Sequence, residues 1–171
     1  MTDSYKISPN SLAFIALSNE YCNSLEQASQ SEQTEFVRSM VRLLPRIYIS
    51  ASDLPADTQA EDIYYIDNAL DEDSYDMVRR GVEIVLGEND TYLEVFEEDM
   101  KYSDTPIAAS IAESLCDIYQ VLYNFLTAVK DATTDNIAAA IAIVSEDFRQ
   151  YWSQPLCNVL RAINQIRYRQ D

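Results

Sequence analysis

The sequence predicts an all-α fold, a single domain over residues 1–171 built as an antiparallel, up-and-down multi-helix bundle. Apolar residues recur at spacings of three and four along most of the chain, the repeat of helices with one buried face. No apolar–polar alternation bounded by turn residues occurs, so no half-buried strand is expected. The stretch KDATTD at 130–135 is short, which obliges the helices on either side of it to run antiparallel.

The elements follow in order. Ser8-Pro9 opens the first helix, with a capping side chain and a proline in the turn where its missing N–H costs nothing. Leu12, Ile15, Cys22 and Leu25 then line one side as far as Ser29. Ser29-Gln-Ser-Glu32 has capping-box spacing and starts a second helix, in which Phe36, Val37, Met40, Val41, Leu44, Ile47 and Tyr48 repeat. Pro45 lies inside that pattern, so a kink there, or an end at Leu44 and a restart, is expected. SASDLPADTQAE (50–61) is loop by composition, followed by a helical turn around Ile63–Leu70. A third helix runs from about Ser74, with Tyr75, Val78, Val82, Val85 and Leu86 inward, and Gly87 stops it. Thr91–Glu98 reads as one or two amphipathic turns, and Met100–Thr105 as loop.

The strongest segment begins at Pro106. Ile107, Ile111, Leu115, Ile118, Leu122, Phe125 and Val129 make one seam, and Ala109, Ala112, Cys116, Tyr119 and Tyr123 a second beside it. Glu113, Asp117, Gln120, Asn124 and Asp131 are left as a polar stripe. A helix apolar over more than half its circumference must sit centrally, with neighbours on both sides. The next helix, about 135–152, carries Ile137, Ile141, Val144, Phe148, Tyr151 and Trp152 and pairs against it. Ser153-Gln-Pro155 is expected to break and recap the chain before a terminal helix through Leu156, Leu160, Ile163 and Ile166.

Composition removes many activities. The 171 residues fit one domain with a real core, and the 47% hydrophobic content argues against disorder. With no His, there is no Ser-His or Cys-His nucleophile pair, no His-zinc site and no Glu-x-x-His di-iron bundle. Two Gly cannot build the phosphate-wrapping loops of the common nucleotide folds. The net charge of −17, without an offsetting basic run, repels nucleic acid. No export signal or membrane-spanning stretch is read from the chain. Cys22, Cys116 and Cys157, odd in number and each within an apolar helical pattern, read as buried free thiols in a reducing, cytoplasmic compartment. Charge is also uneven: residues 51–104 hold 17 acids against 3 bases, so most of the excess lies in the middle third.

Three segments carry a resemblance. VRRGVEIVLGENDTYLEVF (78–96), SIAESLCDIYQVL (110–122) and FRQYWSQPLCNVLRAI (148–163) resemble, in order and spacing, the bacterial domain of unknown function 5063 family. The likeness spans about residues 10–168, and its middle segment is the most specific. The resemblance implies a helical bundle and no particular activity. The family favours a His near Trp152, and this chain has none.

Three constellations bear on function. Asp71-Glu-Asp-Ser-Tyr-Asp76 fails as a calcium loop, because positions 6 and 12 hold Asp76 and Val82 where Gly and Glu are needed. Acids ahead of a helix N-terminus, favouring its dipole, explain it instead. Glu94, Glu97, Glu113 and Asp117 are the candidate metal ligands, since paired carboxylates on one helix face suit Mg²⁺ in a phosphohydrolase of the nucleotide pyrophosphohydrolase kind. Lys101 and Lys130 are the cations nearest in sequence for a substrate phosphate. A solvated helix face accounts for Glu113 and Asp117 equally well. Finally, 12 Tyr, among them Tyr64, Tyr65, Tyr75, Tyr92, Tyr102, Tyr119, Tyr123 and Tyr151, line either the bundle or a peptide-binding groove. The leading expectation is a non-enzymatic cytoplasmic interaction or regulatory module. It has an acidic surface and a basic protein partner, and no cofactor, nucleic acid or membrane is involved. The metal-dependent phosphohydrolase, with Mg²⁺, is the alternative.

Overall fold

A computed structural model describes residues 6–56, 64–94 and 107–169. The fold is predominantly helical and gathers around one hydrophobic core. Helix α1 spans Pro9–Glu26, α2 Gln33–Ser52, α3 Glu72–Leu86, α4 Ile111–Val129, α5 Thr134–Asp147 and α6 Ser153–Arg167. Helix α4 is the hub, packed against α1, α3, α5 and α6, while α2 closes the bundle against α1 and α6. Cross-contacts fix direction. Phe14 meets Phe125 while Tyr21 reaches Leu115, so α1 and α4 are antiparallel. Asn10 bonds Ser50, so α1 and α2 are too.

Most starts and stops follow the local chemistry. The Ser8 side chain caps α1 with Pro9 in its first turn. The Asp71 carboxylate accepts from the Ser74 N–H at 2.7 Å and caps α3, with Glu72 and Asp73 in the first turn, so this helix starts earlier than Ser74. That bond holds the Asp71 carboxyl below its ordinary range, the behaviour of a cap. Gly87, at φ +56°, stops α3.

Several expectations are corrected. The Ser29–Glu32 box does not form: Ala28–Gln30 makes a 3₁₀ turn, and Glu32 precedes α2 without a side-chain bond. Pro45 neither ends nor restarts α2, which runs through it, because Leu43, Leu44 and Ile47 are anchored in the core on both sides. The described residues 64–70 are not helical, while Ile63 lies outside the described residues. Thr91–Leu93 is a strand rather than an amphipathic turn, pairing antiparallel with Ala108–Ser110 in the register Tyr92↔Ala109. The central helix therefore starts at Ile111, and Ile107 is partly exposed on the strand side; Pro106 and the loop Met100–Thr105 lie outside the described residues. Ser153-Gln-Pro155 does not break the chain. A π-turn over Phe148–Trp152, in which the Ser153 N–H bonds the Phe148 carbonyl, carries α5 directly into α6. Pro155 lacks the N–H that would bond Tyr151, so widening the turn just upstream relieves the ring clash. Leu12, Tyr48 and Tyr151 are exposed rather than inward, and Cys157 is exposed while Cys22 and Cys116 are buried.

An aromatic chain knits the core: Tyr48 meets Phe148, Phe148 meets Trp152 edge-on at 4.6 Å, Trp152 meets Phe14, and Phe14 meets Phe125. Three of these contacts join different segments, the Phe148–Trp152 contact lies within the π-turn, and each adds about 0.5–1.5 kcal/mol beyond burial. At the centre Leu115 is fully buried. Leu115→Asp is expected to unfold the chain, through an unpaired charge with no water to reach. Glu113→Ala, on the exposed face of the same helix, should change stability by less than about 1 kcal/mol. Denaturant melts of the two variants check this, and a folded Leu115→Asp protein contradicts it.

Candidate functional site, an acidic groove lined by tyrosines

Polar contacts fasten α4 to its neighbours and shape a groove on one side of it. Tyr119 of α4 donates to Glu26 of α1 at 2.8 Å, and Tyr75 of α3 donates to Asp117 of α4 at 2.7 Å. Asn124 accepts from the Ala69 and Leu70 N–H groups and holds segment 64–70 against α4. Tyr119 and Tyr123 lie side by side, ring centres 5.7 Å apart.

Between these contacts lie three adjoining concavities. The first, about 410 Å³, is walled by Ile15, Asn19, Cys22 and Asn23 of α1 and Leu126, Thr127 and Lys130 at the end of α4. It meets the second, about 420 Å³, at Glu26 and Tyr123; Leu70, Met77, Val78 and Tyr119 line this one. The second meets the third, about 330 Å³, at Leu70, where Asp71, Glu72, Tyr75 and Asp76 form the wall. The floor is thus aromatic and aliphatic, with a carboxylate midway and three more at one end. Met77, 69% exposed, stands on its rim.

The phenols beside these acids hold their protons. Burial, then the bond to Glu26, raises Tyr119 above its ordinary value, and burial, then Asp117, does the same for Tyr75. Tyr92 is pushed up to about 12, chiefly by burial. Burial pushes the Cys22 and Cys116 thiols up to about 12, so both are unreactive.

The candidate metal ligands are placed apart in their roles. Glu94 takes the hydroxyl of Tyr92 on one oxygen and the amide of Asn158 on the other. Asp117 accepts from Tyr75, Glu113 sits exposed in the first turn of α4, and Glu97 and Lys101 lie outside the described residues. Among the described residues no group of three or more acid or thiol side chains stands together as a metal would need. Lys130 stands at the end of the groove opposite Asp71, Glu72 and Asp76, and Glu94 lines none of its three parts. Of the tyrosines, Tyr119, Tyr123 and Tyr75 line the groove, Tyr92 serves the strand pair, Tyr65 and Tyr151 are exposed, Tyr64 is packed against the core, and Tyr102 lies outside the described residues. Glu26, Asn19, Asn23 and Met77 were not singled out by the sequence. They come from two helices separated by more than forty residues, and no local spacing marks them.

The resembling segments do identifiable structural work. Gly87 turns the chain, Asn89 donates to Gln33, and Gln33 in turn caps the Val85 and Leu86 carbonyls at the end of α3. Asp90 accepts from the Ser110 hydroxyl and the Ala112 N–H, both at 2.7 Å, and secures the start of α4.

Fold and groove together define a helical-bundle protein with an acidic, aromatic-floored cleft. Its family is the one described as Domain of unknown function (DUF5063), which residues 5–169 match, and the chain belongs to it. The crystal structure of protein BF1032 from Bacteroides fragilis is similar, with a TM-score of 0.81 and 28% identity over 96% of each chain. No curated protein matches. Among the described residues no helix is long and apolar enough to cross a membrane.

A phenol whose pKa is raised by folding contributes stability below the unfolded value near 10, and that contribution is lost as pH rises toward the folded value. The melting temperature should therefore fall progressively above pH 10. Tyr75→Phe with Tyr119→Phe should lower it by several degrees at neutral pH, about 1 kcal/mol per lost bond, and flatten the alkaline decline. Identical alkaline slopes for both proteins would contradict the assignment.

Proposed function

We propose that this chain is a non-enzymatic, cytoplasmic interaction module whose groove holds a basic, amphipathic segment of a protein partner. The observation that carries this reading is the combination in one cleft of an apolar floor (Leu70, Val78, Tyr119, Tyr123), with Met77 on its rim, and carboxylates at Glu26, Asp71, Glu72 and Asp76. Apolar side chains of the partner would seat on the aromatic floor, where interface energy concentrates. Its Lys or Arg groups would meet the acids, which govern choice of partner and association rate more than affinity. The chain's net charge of −17 likewise favours cationic partners over anionic ones.

The test uses the full chain, tagged, to capture proteins from the native cell beside the variant Glu26→Gln/Asp71→Asn/Glu72→Gln/Asp76→Asn. The amides keep the Tyr119 bond and the α3 cap while removing four charges. A Lys/Arg-rich partner should be retained by the parent, be released between about 0.05 and 0.3 M salt, and be lost from the variant. The same proteins captured by both chains, with the same salt dependence, would refute the reading.

A further inference from the structure

The other flank of α1 carries a feature of opposite sign. Arg38, Arg42 and Arg46 recur every four residues along the solvent face of α2, and all three are exposed. They line a concavity of about 330 Å³ between α2 and α1, together with Glu20, Ser24 and Ser39. Arg38 pairs with Glu35 at 3.1 Å. Among the described residues Arg42 and Arg46 have no carboxylate within ion-pair distance, Glu20 included, although the chain has 29 acids for 12 bases. Like charges four apart on a helix repel, and among the described residues only Arg38 of the three has an ion-pair partner to offset this. Residues 1–50, with 5 acids and 4 bases, lack the dense negative charge of the middle third.

We infer that this arginine ladder is a second docking surface, and that its occupant is an acidic helix of a partner protein. Charge complementarity picks the sign, and the planar guanidinium fork fits carboxylates two bonds at a time. The repeat picks the shape. Four residues of helix rise about 6 Å, so carboxylates at i, i+4 and i+8 of a second helix match the three rungs over about 12 Å. The channel between α1 and α2 runs along both helices, the direction in which a third helix would lie. Its Ser24 and Ser39 hydroxyls can take the remaining carboxylate lone pairs. Nucleic acid fits less well. Beyond three rungs, a long polyanion is repelled by the chain's net charge of −17. Asn19, Asn23 and Glu26 face the groove on one flank of α1 and Glu20 and Ser24 face the ladder on the other, so both surfaces can be occupied at once.

The probe is a fluorescein-labelled helical 16-residue peptide of Ala and Gln carrying Glu at i, i+4 and i+8, followed by anisotropy on the full chain at 50 mM salt. Saturable binding is expected, weakened at least fivefold by Arg42→Gln and at least tenfold by Arg42→Gln/Arg46→Gln. Arg80→Gln, which removes an exposed Arg of α3, should leave it within twofold. Gln keeps helix propensity at these exposed sites, so the variants fold, and circular dichroism verifies that. A peptide of the same composition with its Glu residues out of register should bind at least fivefold more weakly. The inference is overturned by no saturable binding, by equal binding of the out-of-register peptide, by equal loss in Arg80→Gln, by displacement with inorganic phosphate at matched ionic strength, or by tighter binding of a 12-nucleotide single strand.

Discussion

Everything in this molecule depends on the desolvation of α4. Ile111, Ala112, Leu115, Cys116, Ile118, Tyr119, Leu122 and Phe125 are all buried, and they cover more than half of that helix's circumference. Such a helix cannot rest on one neighbour; it has to be enclosed, and α1, α3, α5 and α6 enclose it. The polar strip that remains then has a constrained position. It emerges where the enclosing helices part, and its side chains reach across the gap. Asp117 receives Tyr75, Asn124 gathers the 64–70 segment, and the buried Tyr21 hydroxyl donates inward to the Leu115 carbonyl at 2.6 Å. Burial sets the helix, and hydrogen bonds to its margins set where the neighbours stand.

The groove is a consequence of those margins. Glu26 is held by Tyr119 at the seam of α1 and α4, and Leu70 is held by Asn124 at the seam of α4 and α3. The walls of the cleft are therefore fixed by the same contacts that close the bundle. Because Tyr119 and Tyr75 keep their protons, each remains a donor, and each carboxylate stays an acceptor with charge to spare toward solvent. The acidic cap of α3 has a similar double character. Asp71 satisfies a backbone N–H at the helix start, while Glu72 and Asp76 beside it face the end of the cleft.

The helices could be read in the sequence because burial writes a period of three to four into the chain, and α4, the most enclosed, wrote the clearest one. The corrections fall where a long-range contact overrode a local signal. Thr91–Leu93 has helical-looking periodicity, but Tyr92 is buried against Ser114, and Asp90 needs to reach the start of α4, which extends the chain between them. Pro45 and Pro155 are local breakers in helices anchored by core residues on both sides, so one is absorbed and the other is answered by a π-turn. On α1 the inner face is Ser11, Phe14, Ser18, Tyr21, Cys22 and Leu25; two serines among them hide the apolar stripe, and the exposed Leu12 imitates it at a spacing of three from Ile15. The groove itself was legible only as an abundance of tyrosine and acid. Its residues come from α1, α3, α4, α5 and the segment ahead of α3, which meet only in the folded chain.

The most direct test of α4 as hub is native-state amide hydrogen exchange across the whole chain. The amides of Leu115–Phe125 should exchange only through global unfolding, with opening free energies equal to that from denaturant melts, and the ends of α1, α3 and α6 should open more easily. Exchange of the α4 amides through a lower-energy local opening, while α2 and α6 stay protected, would contradict the account.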